Sequence, residues 1–177
     1  MTKPSDVDPV SALMRVLGER WVLTLALADP TAPDASPYPT PLFFALAEPN
    51  TIGRHPAPLV VVVSDPDSHH GQLAGRGPTA AAAAVYLETQ EVGQVRGAQL
   101  RGSLVREDAW TPAGAAGLRQ CYLDRHPIAA PMLAGGRHRL YALAVSWAKL
   151  TDNRLGFGAH PVARFDVTCA EVEQSRP

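Results

Sequence analysis

Cysteine is nearly absent from this chain of 177 residues. Its two copies, Cys121 and Cys169, lie far apart, which excludes a disulfide framework and the paired spacing of a zinc site. Two ordinary thiols in a reducing compartment remain. Surplus charge is also missing: 16 basic side chains stand against 17 acidic ones, so nothing attracts nucleic acid or anionic lipid from a distance. Any charged ligand must be recognised locally. No apolar run is long enough to span a bilayer, and Met1-Thr-Lys-Pro-Ser lacks the apolar core of a signal peptide. The expectation is a cytoplasmic protein that binds neither nucleic acid nor membrane. A dinucleotide-binding loop is lacking too, because Gly71, Gly75 and Gly77 do not have its spacing. No nucleophile, base and orienter triad is identifiable by spacing. Proline and glycine, at 17 and 14 copies, are plentiful, yet hydrophobic periodicity persists between them, which favours one domain over residues 1–177 rather than disorder.

That periodicity sets out the elements in order. Asp8-Pro9 is a helix cap followed by a first-turn proline, and Val10, Leu13, Met14 and Leu17 extend a helix to about Gly18. In Trp21–Ala28, alternation places Trp21, Leu23, Leu25 and Leu27 on one face of a strand. Asp29–Pro37 is a turn by composition. Tyr38–Ala47 is a strand whose Pro39 and Pro41 cannot donate ladder hydrogen bonds, so its first half must be an edge or a covered rim. After a loop at Glu48–Pro58, four valines make Leu59–Ser64 a strand buried on both faces. Asp65-Pro66 then fits a cap and first helical position, opening a short helix that Gly75, Gly77 and Pro78 close.

Further on, the alanines of Thr79–Glu88 favour a helix by propensity, but the flanking Gly-Pro and Val85-Tyr86-Leu87 favour a strand, which is the reading adopted. Val92–Arg106 is a long strand with Gly97 and Gly102 as bulge or close-approach points. Thr111-Pro112 opens a helix carrying Leu118, Cys121, Tyr122 and Arg125, and His126-Pro127 stops it. Ile128–Arg139 is a loop with a basic tip, Arg137-His138-Arg139. Leu140–Leu150 is a strand, Thr151-Asp152-Asn153 a turn, and Leu155–Gly158 a short strand or hook. Six or seven strands and three helices without strand–helix–strand repeats point to a mainly β protein, an antiparallel barrel with peripheral helices.

The organising stretch is 59–105. It gathers Ser64, Ser68, His69 and His70 where a strand ends and a helix begins, a setting suited to an anionic ligand. Several motifs there and in the strand before it, taken in order, resemble the FMN-binding split-barrel superfamily typified by pyridoxamine 5'-phosphate oxidase. They are Pro41-Leu-Phe-Phe44, the apolar strand ending in Ser64, Asp67-Ser-His-His-Gly-Gln-Leu73, Gly77-Pro-Thr-Ala-Ala81 and Arg96-Gly-Ala-Gln-Leu-Arg-Gly102. Lys149-Leu-Thr-Asp-Asn-Arg-Leu-Gly-Phe-Gly158 is similar to the signature of an uncharacterised bacterial branch of it. The resemblance covers about residues 7–158 and leaves 159–177 as a tail. It implies a six-stranded split barrel, a homodimer, and one FMN in each cleft between subunits.

Residue by residue, the resemblance implies a flavin phosphate near Ser68-His69-His70, which replaces a family Ser-Arg-Lys, with Ser64 beside it. The ring would lie along Val62, Val63 and Ser64 and along Pro41, Leu42 and Phe43. Gln99 would be a ring or ribityl partner, and Arg101 and Arg96 further phosphate partners. A basic residue on the second strand and a C-terminal arginine motif are missing, so pyridoxamine phosphate is a poor substrate candidate. The expected activity is that of an FMN-dependent oxidoreductase, passing electrons between a reduced nicotinamide and a small planar molecule. A non-catalytic flavin-, haem- or tetrapyrrole-binding module of the same fold stays open beside it. For His69 and His70, a metal site with Asp65 or Asp67 and a solvated turn are the rival readings. Trp147 and Phe157 are flavin-facing or core, Asp152-Asn153 a turn or a ligand contact, Tyr122 and Arg125 helix packing and surface charge, and the 137–139 tip a solvated loop.

Overall fold

The computed structural model describes residues 8–34, 36–155, 158 and 160–167; Gly156 and Phe157 of the expected hook, and Cys169, lie outside them. The described residues form strands β1 (Val22–Ala28), β2 (Pro37–Ala47), β3 (Leu59–Ser64), β4 (Thr79–Tyr86), β5 (Arg96–Arg106), β6 (Arg139–Asp152) and β7 (Val162–Arg164). Helices are α1 (Pro9–Gly18), α2 (His69–Ala74), α3 (Pro112–Arg125) and α4 (Ala130–Ala134). All pairings are antiparallel and run β1–β2–β3–β6–β5–β4 and back to β1, so six strands close a barrel. β7 lies outside it, on the edge of β6 that β3 vacates beyond Ala144.

Period-two alternation fills the barrel. Leu23, Leu25 and Leu27 of β1 point inward with Phe44, Val60, Val62, Leu100, Leu104, Leu143 and Val145. The alanine run is strand: Ala81, Ala83 and Val85 join this core, and pairing with β1 and β5 on both sides overrides helix propensity. α1, capped by the Asp8 carboxylate on the Val10 and Ser11 amides, plugs one barrel end with Leu13 and Leu17. A second apolar layer lies outside the barrel, where Leu118 and Tyr122 of α3 and Leu133 of α4 cover Val61, Val63, Leu140 and Ala142. Arg125 is no simple surface charge, since its guanidinium donates to the Gly18 and Arg20 carbonyls and ties α3 to the end of α1.

Several boundaries differ from expectation. Trp21 precedes β1 and is 55% exposed rather than buried with the leucines. The Arg125 guanidinium, 4.4 Å from its ring centre, and the edge of His126 hold it outside. Val92–Gln94 is a 3-10 turn, so β5 begins at Arg96. The expected loop after His126 contains helical turns at Pro127–Ala129 and Ala130–Ala134, whose prolines sit in first turns where a missing amide costs nothing. β6 runs through Thr151 and Asp152, because β5 continues to pair with it as far as Arg96. Asp152 is buried against Arg154, and the Asn153 side-chain Nδ2 donates to the Val92 carbonyl at 2.7 Å, so both hold the chain in place there.

Candidate ligand site at the barrel mouth

Antiparallel pairing brings the C-terminal ends of β1, β3 and β5 and the N-terminal ends of β2, β4 and β6 to one rim, opposite the end plugged by α1. The rim therefore collects Asp29, Tyr38, Ser64, Thr79, Arg106 and Arg139. Here β2 and β3 part. They pair only from Phe44 and Val62 to Ala47 and Leu59, while Pro37–Phe43 stay with β1. Phe44 donates its amide to Trp21, so by the pleat Pro37, Pro39 and Pro41 turn their nitrogens away from β1, toward the gap. Proline thus occupies the unpaired edge expected of it. Pro41, Leu42 and Phe43 on one side, with Val63 and Ser64 on the other, flank this gap in the strand pairing.

α2 lies across this rim. It starts later than expected: Ser68, not Asp65, is its N-cap and accepts from the Gly71 amide at 3.2 Å. Asp65 instead closes the preceding turn by accepting from the Asp67 amide at 3.0 Å and pairs with Arg137 at 2.6 Å. The Ser64 hydroxyl meets His70 Nε2 at 2.6 Å and the Ser68 hydroxyl at 3.2 Å, and Ser68 donates to the Asp65 carbonyl at 2.6 Å. Beneath them is a cavity of about 10 Å3 between Leu42, Val62, Ser64, His70 and Tyr141, the size of one water. The Tyr141 hydroxyl is buried there and has no hydrogen-bond partner among the described residues. Burial pushes this phenol up, against the pull of the Arg106 guanidinium next to it. Burial, then the charge of His69, pushes the His70 imidazole down, while Asp65 pulls it up.

His69 and His70 turn to different partners. His69 turns to the β1–β2 turn, where its Nε2 lies 2.7 Å from the Asp29 carboxylate and its ring meets the edge of Tyr38 at 4.6 Å. Asp29 also accepts from the Thr31 hydroxyl and amide; Thr31, then His69, lowers its pKa to about 2. A depressed carboxylate stabilises the fold above its unfolded pKa of about 3.9, and that contribution disappears as pH falls through its folded pKa. Asp29→Asn is therefore expected to lower the melting temperature at pH 6, with the gap to the parent closing between about pH 4 and pH 2, as thermal melts across that range would reveal. No group of three or more metal-ligating side chains occurs among the described residues.

The other sequence candidates lie elsewhere in the chain. Gln99 and Arg101 are exposed on the outer barrel face, with Arg101 over the half-buried Trp147 ring at 4.9 Å, so Trp147 is neither core nor at the mouth. Gln99 pairs with Lys149 and Ser64 with Arg139, ten residues apart along β6, or roughly 30 Å of strand. Arg96 sits at the opposite end, paired with Glu19. Sequence reading missed Arg106, Tyr141, Arg137 and Arg139. The 137–139 tip had a basic signal, but only the Ser64–Arg139 register shows that Arg139 leaves β6 beside the end of β3, where its side chain lines a groove with Glu107, Asp108 and Trp110. A larger open groove, about 760 Å3, runs between α3 and β2 past Ile52 and Cys121 and shares no residue with the mouth.

No family model matches the chain, and no curated protein matches it either. Solved structures do. A haem-binding protein from Mycobacterium smegmatis is 16% identical with a TM-score of 0.69, over 89% of this chain and 58% of that one. A protein related to general stress protein 26, of the pyridoxinephosphate oxidase family, from Clostridium acetobutylicum is 7% identical with a TM-score of 0.58, over 89% of this chain and 96% of that one. The fold is the pyridoxamine 5'-phosphate oxidase-like split barrel. An FAD-binding protein from Mesorhizobium loti shares this split barrel at 14% identity and a TM-score of 0.52, over 77% of this chain and 88% of that one. No helix among the described residues is long and apolar enough to cross a membrane.

Proposed function

We propose that this split barrel binds a flavin, FMN in the first instance, in the cleft between β2 and β3, and uses it in a redox reaction on a small molecule. The cleft itself carries the proposal: Pro41–Phe43 and Val63–Ser64 present unpaired backbone edges to each other, and Ser64, Ser68 and His70 gather hydroxyl and imidazole groups at its floor. A planar ring system would lie along edges that no strand occupies, and a phosphate would suit the polar floor beside the buried Tyr141 hydroxyl. A bound flavin would supply the hydride and electron chemistry, and the chain would supply position and exclusion of water.

Gln99 and Arg101 enter this reading through a second copy. The outer face across β2, β1, β4 and β5 is built of Pro39, Pro41, Thr24, Ala26, Ala82 and Ala84, small or flat side chains that allow close approach. Trp21, Val22 and Phe43 are exposed beside it. In a homodimer joined on this face, Gln99 and Arg101 of one protomer would approach the cleft of its partner. Sedimentation at micromolar concentration should give a dimer, and a stable monomer would remove this part of the proposal.

A second reading, haem, has an observation of its own. Asp29 holds His69 through Nε2, the kind of second contact that orients metal-bound histidines, and the other ring nitrogen has no hydrogen bond among the described residues. Titration of the purified protein with FMN, followed by flavin fluorescence, and with haemin, followed by absorbance near ~400 nm, separates the two. Saturable FMN binding that weakens about tenfold in Ser64→Ala, a loss of roughly 1.4 kcal/mol, is the expected result. Haemin binding lost in His69→Ala, without flavin binding, would reverse the order of the two readings.

A further inference from the structure

We infer that the arginines at the start of β6, Arg137 and Arg139, supply the positive charge that holds the phosphate of the bound flavin, in place of the imidazoles of α2. The inference rests on the flavin reading above and names which groups of that site carry charge. Neither histidine is well placed for the task. His69 is committed to Asp29 at 2.7 Å, and His70 Nε2 is engaged with Ser64 at 2.6 Å. A phosphate with two negative charges needs cationic donors that stay charged at neutral pH, as guanidinium does.

The arginines of β6 meet that need by position. Arg139 is the register partner of Ser64, so the two side chains leave neighbouring strands on the same face, at the rim, where Arg139 also lines a groove with Glu107, Asp108 and Trp110. Its guanidinium donates to the carbonyls of Gly136 and His138, and no carboxylate pairs with it among the described residues. Its charge also reaches the buried Tyr141 phenol. Arg137 is exposed and gives Nε to Asp65, the residue that follows Ser64, at 2.6 Å. That single bond leaves its two terminal amino groups for an anion, in the forked geometry that suits phosphate oxygens. Asp65 thereby acts as a positioning residue, aiming Arg137 across the strand end. Arg106, the third guanidinium at this rim, gives both Nε and a terminal amino group to Asp108, whereas Arg137 gives Asp65 only its Nε.

The test compares FMN with riboflavin, which lacks the phosphate, in the full-length protein. The parent is expected to bind FMN at least ~30-fold more tightly than riboflavin, and inorganic phosphate should compete with FMN but not with riboflavin. In the double variant Arg137→Gln, Arg139→Gln, the preference should fall about tenfold or more while riboflavin affinity stays within about twofold. Arg137→Gln alone, at an exposed position, should lose part of the preference and decides the matter if the double variant does not fold. A preference unchanged in the variants, or absent from the parent although both flavins bind, overturns this inference and leaves the flavin reading intact. Failure of the parent to bind either flavin overturns both.

Discussion

Alanine at position 102 is expected to destabilise the barrel by about 3 kcal/mol, lowering its melting temperature by roughly 10 °C. A Cβ built on Gly102 would run into the Ala144 carbonyl oxygen, with the carbonyl carbon only 2.8 Å away. Both are backbone atoms of β6, which is paired with β3 and β5 at this level, so neither can give way cheaply. The register of β5 against β6 also shifts between Arg101 and Gly102. This bulge bends β5 around the barrel, and the close approach is part of the bend. Gly18→Ala serves as the comparison, because a Cβ there meets nothing within 4 Å and closes the last turn of α1. That variant should match the parent or gain up to about 1 kcal/mol. Thermal or urea unfolding reads both, and a Gly102→Ala protein melting within about 2 °C of the parent would mean that the bulge relaxes freely.

Gly71→Ala should act on the mouth rather than on the whole barrel. Its Cβ would overlap the Asp65 carbonyl oxygen and lie 2.8 and 2.9 Å from Pro66 Cα and C. α2 must then lift away from the Asp65–Pro66 turn. The Asp65 carbonyl accepts from both Ser64 and Ser68, so that movement separates the hydroxyls that floor the cleft. The expected result is a loss of about 1–3 kcal/mol in stability and a flavin affinity at least tenfold weaker at a temperature where the variant is fully folded. Gly77→Ala, where a Cβ meets nothing within 4 Å, should leave flavin binding unchanged. If Gly71→Ala binds flavin like the parent, α2 is not a wall of the site.

What the order of residues by itself determined was local: strands, caps and the barrel class. Alternation along Leu23, Leu25 and Leu27 marks a strand wherever it sits, and Asp8-Pro9 and Thr111-Pro112 cap helices through atoms a few residues away. Pro39 and Pro41 announced an edge because a missing amide is missing in any fold. The candidate site was legible as a neighbourhood: Ser64, Ser68 and His70 do meet, being at most six residues apart. The tertiary structure alone decided which charged groups pair around that neighbourhood. His69 is claimed by Asp29, forty residues earlier, and Asp65 by Arg137, seventy-two residues later. Strand register, set by how the whole barrel closes, puts Arg139 opposite Ser64 and leaves Gln99 and Arg101 on another face. Such partners are chosen by the summed packing of six strands, a quantity that no local pattern encodes.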